Sequence, residues 1–221
     1  IYGYKTFNFN IDPTNVSNLT VDYIKRFVSN NKLNLLVIVN PSHPFEKNWQ
    51  PSQLKKIISF CKRKKTIVLL DEVYQGLGSK SVDHLTKKYS NLIILRSFSK
   101  AFGLPGLRVG YSLASDKLSK EIETFRLAIE LPQHSIDEAL INLKKYNKII
   151  KNKCKKIINA RKFAHQKFKS KGLKSYNFYG NSITVDLMNK VNAYKIGKYL
   201  FKNKVYINYR YSNHFCKFIN L

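Results

Sequence analysis

The fold is decided by the stretch Ser97–Tyr111, which reads SFSKAFGLPGLRVGY and follows the apolar run 92–95. The stretch contains two hydroxyl residues, a lysine, a glycine-rich turn and an arginine eight residues after the lysine. Hydroxyl groups and an arginine together are a common way for a protein to hold a phosphate. A lysine beside them can form a Schiff base with an aldehyde that carries a phosphate. The stretch therefore predicts a binding site for a cofactor of that kind, with Lys100 as the amine.

Two upstream segments also place polar residues where apolar runs end. Asn40 follows the run 35–39, and Asp71 follows the run 67–70, with Tyr74 three residues later. In open parallel sheets, ligands bind outside the carboxyl ends of the strands. We therefore expect the three polar segments to meet in one crevice.

Each segment also has an ordinary structural interpretation. Lys100 taken alone could be a surface lysine, and an Asn-Pro pair such as the one at Asn40 usually marks a turn. Ser97 and Ser99 could cap a helix, and Arg108 could pair with a surface carboxylate. It is the order and the spacing of all three segments that favour a shared site.

In that order, the segments resemble those of fold-type I pyridoxal-phosphate enzymes, in the class I/II aminotransferase family and closest to histidinol-phosphate aminotransferases. The resemblance runs without gaps from about Asn40 to Tyr111. It implies an α/β fold in which residues 1–115 form part of a cofactor-binding large domain with a three-layer, mostly parallel sheet. Residues 116–221 would form a smaller C-terminal α/β domain that lacks its last strand. Since family segments are expected before Ile1 and after Leu221, the chain resembles an internal fragment of a longer enzyme.

The same resemblance implies a role for each polar residue. Lys100 would form the Schiff base with pyridoxal 5'-phosphate and later move protons, while Asp71 would pair with the pyridine nitrogen. A carboxylate there favours the protonated nitrogen, which strengthens the cofactor as an electron sink. Tyr74 and Asn40 would hydrogen-bond the ring 3-hydroxyl. The cofactor phosphate would be held by three further residues, namely Ser97, Ser99 and Arg108.

The implied activity is a transaminase with small-molecule substrates. An amino acid such as glutamate would supply the amino group, and a phosphorylated or aromatic keto compound of the histidinol-phosphate type would receive it. A phosphothreonine decarboxylase shares the same motifs and is one alternative. A catalytically incomplete fragment or pseudoenzyme is another, because the resemblance leads us to expect family segments before Ile1 and after Leu221, and because Glu46 stands where the family loop has glycine. Family members are usually homodimers, so we expect a homodimer of the full-length protein.

Composition restricts the class of protein further. The net charge of +27 suggests a nucleic-acid or other anionic partner, yet only seven of the 40 basic residues are arginines. Arginine is favoured for phosphate and base recognition, so the lysine bias indicates an AT-rich genome rather than nucleic-acid binding. The three cysteines fit no metal spacing or disulfide framework, which predicts a reduced, cytoplasmic protein without a metal site. No apolar run reaches the length that a membrane span needs.

The hydrophobic pattern predicts alternating strands and helices in the first half of the chain. Strands are predicted at 4–9, 35–39, 67–70, 92–96, 109–114 and 205–209, with a strand pair over 176–187. Helices are predicted at 20–29, 51–64, 82–88 and 193–201, with a long helical region over 136–169.

Overall fold

A computed structural model describes residues 3, 5–9, 18–42, 47–127, 131–145, 149–177, 179–209 and 217–221. Glu46, which stands where the family loop has glycine, lies outside these residues. Within them, the chain forms two β-sheets, one of four strands and one of three.

The four-stranded sheet is mostly parallel, as predicted. Its strands are β1 (Leu35–Val39), β2 (Ile67–Asp71), β3 (Leu92–Ser97) and β4 (Gly110–Leu113), in the order β1-β2-β3-β4. The first three strands run parallel, and β4 is antiparallel to β3. A parallel neighbour needs a crossover of about a dozen residues or more, usually a helix, and the β3–β4 connection holds only a short 3₁₀ turn at Pro105–Leu107.

Two helices cover one face of this sheet. They are α1 (Val21–Asn31), which begins at the N-cap residue Thr20, and α2 (Pro51–Arg63), which begins after Gln50. Their apolar sides pack on alternate strand residues, which gives the main hydrophobic core. The buried members include Ile24, Val28, Leu54, Ile57, Ile58, Leu36, Ile38, Val68, Leu70, Leu92 and Ile94. The opposite face is more open, since Leu35 and Val37 of β1 are 51% and 48% exposed.

The rest of the described chain is helical, with a small antiparallel sheet. The helices are α3 (Asp116–Glu123), α4 (Gln133–Lys144), α5 (Lys151–Ser170) and α6 (Lys190–Lys202). The strands β5 (Lys174–Tyr176), β6 (Thr184–Asp186) and β7 (Phe218–Asn220) pair in the order β5-β6-β7. The β5–β6 pair confirms the strand pair predicted over 176–187, although β5 begins two residues earlier.

The helical region predicted over 136–169 is present as two helices, α4 and α5. Three sequence predictions need correction. Residues 5–9 form no strand, and residues 205–209 contain only an isolated bridge. The short helix predicted at 82–88 is a 3₁₀ helix, Asp83–Lys87. Strand propensity alone did not form a strand in either apolar segment, because a strand also needs a neighbour with free backbone groups.

A second hydrophobic cluster joins the loops after β2 and β3 to the later helices. Leu77, Phe98 and Phe102 are buried there together with Ile150 and Cys154, at the start of α5. The domain boundary near residue 115 stays a prediction, and this cluster lies on both sides of it. In the described part of the chain, no helix is long and apolar enough to cross a membrane.

Candidate active site

The candidate site lies at the carboxyl ends of β1, β2 and β3. Register pairs Val39 with Asp71 and Asp71 with Leu95, so β1 and β2 end level and β3 extends two residues further, to Ser97. The Asn40 backbone N–H donates to the Asp71 backbone carbonyl at 2.8 Å and extends the β1–β2 ladder by one residue. Because strand side chains alternate, Asp71 and Ser97 lie on the more open face of the sheet.

Asn40 is a buried polar side chain that is only partly satisfied. It is 1% exposed, and its Oδ1 accepts a hydrogen bond from the Trp49 backbone N–H at 2.8 Å. Its Nδ2 is also buried, yet it has no hydrogen-bond partner among the described residues. A buried donor without an acceptor costs about 1–3 kcal/mol. This orphaned amide is therefore well suited to a ligand oxygen.

A tight turn follows Asp71 and carries Tyr74. The Val73 backbone N–H donates to Asp71 Oδ1 at 2.9 Å, which orients the carboxylate. The Leu77 N–H then donates to the Tyr74 carbonyl at 3.2 Å and closes the turn. Lys100 Nζ lies 5.3 Å from the centre of the Tyr74 ring, in cation–π contact. The turn therefore brings two predicted site residues together.

The lysine loop is built on two buried aromatic anchors. Phe98 and Phe102 are 4% and 9% exposed, and their ring centres lie 4.5 Å apart. Between them, the Ser99 N–H donates to Ser97 Oγ at 3.0 Å, and the Gly103 N–H donates to the Lys100 carbonyl at 3.0 Å. Lys100 itself is only half-buried. The anchors fix the loop backbone while leaving the amine at the edge of the core.

Arg108 is separated from the two serines. Its backbone lies in the left-handed region at φ 55°, and its exposed guanidinium donates to the Pro105 carbonyl at 3.1 Å. Within the residues that the structure describes, no hydrogen bond joins Arg108 to Ser97 or Ser99. The structure thus joins the backbones of Asn40 and Asp71 and brings Lys100 Nζ to the Tyr74 ring. It also joins the Ser99 N–H to Ser97 Oγ, and it leaves Arg108 apart.

A buried ion pair lies beneath the site on the helix-covered side of the sheet, and the sequence did not predict it. Arg96 Nη2 lies 3.0 Å from Glu72 Oε2 and 3.0 Å from Asp83 Oδ2. Ser81 Oγ donates to Glu72 Oε2 at 2.7 Å, and Arg96 also donates to Ser81 Oγ.

The Arg96 guanidinium stays charged in this setting. Burial by itself lowers the pKa of Arg96, but hydrogen bonds to Tyr111 and Asp83 and the charge of Glu72 outweigh it and raise the pKa overall. The alternation along β2 and β3 could have revealed the pair, since Glu72 and Arg96 lie two residues, which is one strand period, beyond the buried positions Leu70 and Ile94.

The described residues suit a pyridoxal-type ring better than a metal ion. No group of three or more His, Cys, Asp or Glu side chains close enough to hold a metal occurs in the described ranges. What the site offers is an amine at Lys100, a carboxylate at Asp71, the phenol of Tyr74 and the orphaned amide of Asn40. Together these can bind an aldehyde, a ring nitrogen and a ring oxygen.

Comparisons with known proteins show the family of the chain. The family described as aminotransferase class I and II matches residues 1–216. A histidinol-phosphate aminotransferase of Ruminiclostridium cellulolyticum is 29% identical over 196 residues, which cover 88% of this chain and 54% of that protein.

Solved structures share the fold at lower identity. The histidinol-phosphate aminotransferase of Sinorhizobium meliloti, in complex with pyridoxal-5'-phosphate, aligns with a TM-score of 0.78 and 22% identity, covering 90% of this chain and 55% of that one. The L-threonine-O-3-phosphate decarboxylase of Porphyromonas gingivalis aligns with a TM-score of 0.67 and 19% identity, covering 85% and 58%. The chain thus spans just over half the length of these relatives.

Proposed function

We propose, on the premise that the chain belongs to the class I and II aminotransferase family, that its site binds pyridoxal 5'-phosphate and transfers amino groups. The observation that carries this proposal is the buried Nδ2 of Asn40, which has no acceptor among the described residues. A ring oxygen placed against it would satisfy it. When bound, the cofactor supplies an electron sink for the carbanion at the substrate α-carbon.

The side chains of the chain itself divide the remaining work. Asp71, oriented by the Val73 N–H, would hold a proton on the ring nitrogen, since an opposite charge favours the charged form. Asn40 and the Tyr74 hydroxyl would donate to the ring oxygen. Lys100 would bind the aldehyde carbon and afterwards move a proton at the substrate α-carbon, and such positioned transfer contributes typically about 10²–10⁴-fold.

The cofactor phosphate would be held by Ser97, Ser99 and Arg108. Ser97 and Ser99 lie next to each other at the end of β3, whereas Arg108 is turned toward the Pro105 carbonyl. We propose that the Arg108 guanidinium leaves the Pro105 carbonyl and binds the cofactor phosphate instead. An arginine–phosphate hydrogen bond is charge-assisted and therefore stronger than a bond to a neutral carbonyl.

The substrates proposed are glutamate with 2-oxoglutarate on one side and a phosphorylated or aromatic keto compound of the histidinol-phosphate type on the other. The relative of Ruminiclostridium cellulolyticum, a histidinol-phosphate aminotransferase, supports the histidinol-phosphate type. A phosphothreonine decarboxylase remains the second candidate, and the fold shared with the Porphyromonas gingivalis enzyme supports it. A catalytically incomplete protein is the third.

Two further properties belong to the proposal. We propose a homodimer for the full-length protein, which light scattering of the active protein would refute by giving a monomer mass. We also propose a reducing compartment such as the cytoplasm, because Cys61 and Cys154 are buried free thiols.

A titration with pyridoxal phosphate tests the cofactor proposal directly. The parent protein should develop a saturable visible absorbance band, and Lys100→Ala should lose or shift it. Lys80→Ala, at an exposed lysine outside the lysine loop, is the matched control and should keep the band. A folded parent without a saturable band would contradict the proposal.

Substrate then separates the candidate activities. Addition of glutamate should convert the band to that of the amine form if the protein is a transaminase. Release of carbon dioxide from phosphothreonine, without that conversion by glutamate, would favour the decarboxylase. A bound cofactor that neither compound changes would favour the incomplete protein.

A further inference from the structure

Helix α5 presents one stripe of buried and partly buried side chains to the candidate site. The stripe consists of Ile150 at the helix N-cap followed by Cys154, Ile157 and Arg161, at helical spacings of four, three and four residues. Ile150 and Cys154 are 1% and 2% exposed, and Arg161 is only 8% exposed. A buried arginine is unusual in a stripe that is otherwise apolar, because a buried charge is costly unless it is hydrogen-bonded.

We propose that Arg161 is a positioning residue that holds the turn Tyr74–Leu77, so that the Tyr74 ring stays against Lys100. The consequence for the cofactor rests on the proposed function, whereas the mechanical part concerns the protein alone.

The contacts of Arg161 support this role. Its Nε donates to Asn177 Oδ1 at 3.0 Å, and its Nη1 donates to the backbone carbonyl of Gly180. The same Nη1 reaches the Leu77 carbonyl at 3.5 Å. One guanidinium therefore connects α5, the β5–β6 connection and the end of the Tyr74 turn. Its planar fork of donors fixes direction, which the single ammonium of a lysine does not.

The turn itself is closely packed at the point where Arg161 meets it. Leu77 is fully buried in the second hydrophobic cluster. Gly78 follows at φ +119°, and a β-carbon there would lie 3.0 Å from Tyr179 Cδ1 and 3.8 Å from Arg161 Nη2. The backbone approach thus depends on glycine and leaves little space for the turn to move while Arg161 is in place.

A second contact of the stripe reaches the lysine loop, which carries Lys100. The Cys154 thiol donates to the Ala101 carbonyl at 3.6 Å, and Ala101 directly follows Lys100. Helix α5 therefore contacts the lysine loop through Cys154 and the tyrosine turn through Arg161. One contact holds the lysine loop and the other holds the tyrosine turn. Together they fix the distance of 5.3 Å between Lys100 Nζ and the centre of the Tyr74 ring.

Hydrogen exchange of the protein without cofactor tests the mechanical part. The variants are Arg161→Met and Arg161→Lys, with Lys162→Met as the matched control at the exposed neighbouring position of the same helix. The amides of Gln75 and Leu77, which close the turn, should exchange about tenfold faster in both Arg161 variants, roughly the loss of one net hydrogen bond. The amide of Val68 in β2 serves as the internal reference and should change by less than twofold.

Two results would overturn the positioning role. One is turn amides that exchange at the parent rate in both Arg161 variants. The other is acceleration of the turn and of Val68 by the same factor, which would indicate a general loss of stability. If Arg161→Met does not fold, Arg161→Lys keeps the charge and the test, and Gly78→Ala disturbs the same contact from the opposite side.

The pH dependence of the visible band of bound pyridoxal phosphate tests the consequence for the site. A displaced Tyr74 hydroxyl would donate less to the ring oxygen, so the pH midpoint of the band should rise by about one unit in Arg161→Lys and not in Lys162→Met. An unchanged midpoint would refute the link to the cofactor. A parent without any band would refute the proposed function instead, and the exchange measurement would still decide the role of Arg161.

Discussion

Substitution of Glu72 by glutamine should destabilise the protein far more than substitution of Asp83 by asparagine. Glu72 is 2% exposed and accepts hydrogen bonds from Arg96 at 3.0 and 3.3 Å, from Ser81 Oγ at 2.7 Å and from the Val82 N–H at 3.4 Å. Removing one partner of a buried ion pair typically costs about 3–5 kcal/mol, because the other charge stays buried.

For Glu72→Gln we expect a loss of stability at the lower end of this range, because Arg96 keeps the carboxylate of Asp83 as a partner. Asp83 lies 3.0 Å from Arg96 Nη2, but its side chain is 48% exposed, so water screens the pair and its contribution is about 0–1 kcal/mol. We therefore expect Glu72→Gln to lower the free energy of unfolding by about 3 kcal/mol and Asp83→Asn by less than about 1 kcal/mol.

Urea unfolding followed by far-ultraviolet circular dichroism measures both effects. With a typical slope of about 2 kcal/mol per molar urea, Glu72→Gln should move the midpoint down by about 1.5 M. The double variant Glu72→Met with Arg96→Met removes both buried charges and should be more stable than Glu72→Gln alone. Equal shifts for Glu72→Gln and Asp83→Asn, or a double variant that is the least stable of all, would refute the reasoning.

Three other predictions concern the strand β4, a buried thiol and the orphaned amide. Gly110→Ala places a β-carbon 2.9 Å from the Arg96 carbonyl, so thermal denaturation should show a loss of about 1–3 kcal/mol, and an unchanged midpoint would contradict it. Burial raises the pKa of the Cys61 thiol from 9.0 to about 11, so the unfolded chain ionises first between these pH values and stability should fall there as pH rises. The Cys61→Ala variant should show a shallower fall over that pH range, and an identical profile would refute the assignment. Asn40→Asp keeps the acceptor for the Trp49 N–H but loses the donor, so the affinity for pyridoxal phosphate should fall about tenfold in the absorbance titration, whereas equal affinity would show that the amide does not serve the cofactor.

The local hydrophobic pattern predicted the bounds of the three parallel strands well. The predicted strand 35–39 has the bounds of β1, and those of β2 and β3 differ from the prediction by one residue at one end. These strands are apolar up to the polar residues at their carboxyl ends, and long apolar runs are usual in the strands of a parallel sheet. The polar residues at their ends were identifiable because ligand groups in such sheets come from the loops after the strands. The roles of those residues in binding a cofactor stay predictions.

Contacts between distant segments were not predictable in the same way. The sequence 136–169 has helical spacing throughout, yet α4 ends at Lys144 and α5 begins at Lys151. In the sequence, nothing separates Arg161 from the surface cations around it. Only its hydrogen bonds to the Leu77 and Gly180 carbonyls distinguish it.

The amino-acid sequence by itself determined the α/β class, the order of strands and helices from α1 to β4 and the polar residues at the strand ends, because hydrophobic period and turn chemistry are local properties. Only the tertiary structure decided that Glu72 pairs with Arg96, that Asn40 Nδ2 has no acceptor among the described residues and that Arg161 reaches the Leu77 carbonyl. These depend on which buried groups meet across about 20 to 80 residues of chain, as with Glu72 and Arg96, 24 residues apart, and Arg161 and Leu77, 84 residues apart. Burial is what turns such a meeting into a strong interaction, and a sequence pattern does not record which distant groups are buried together.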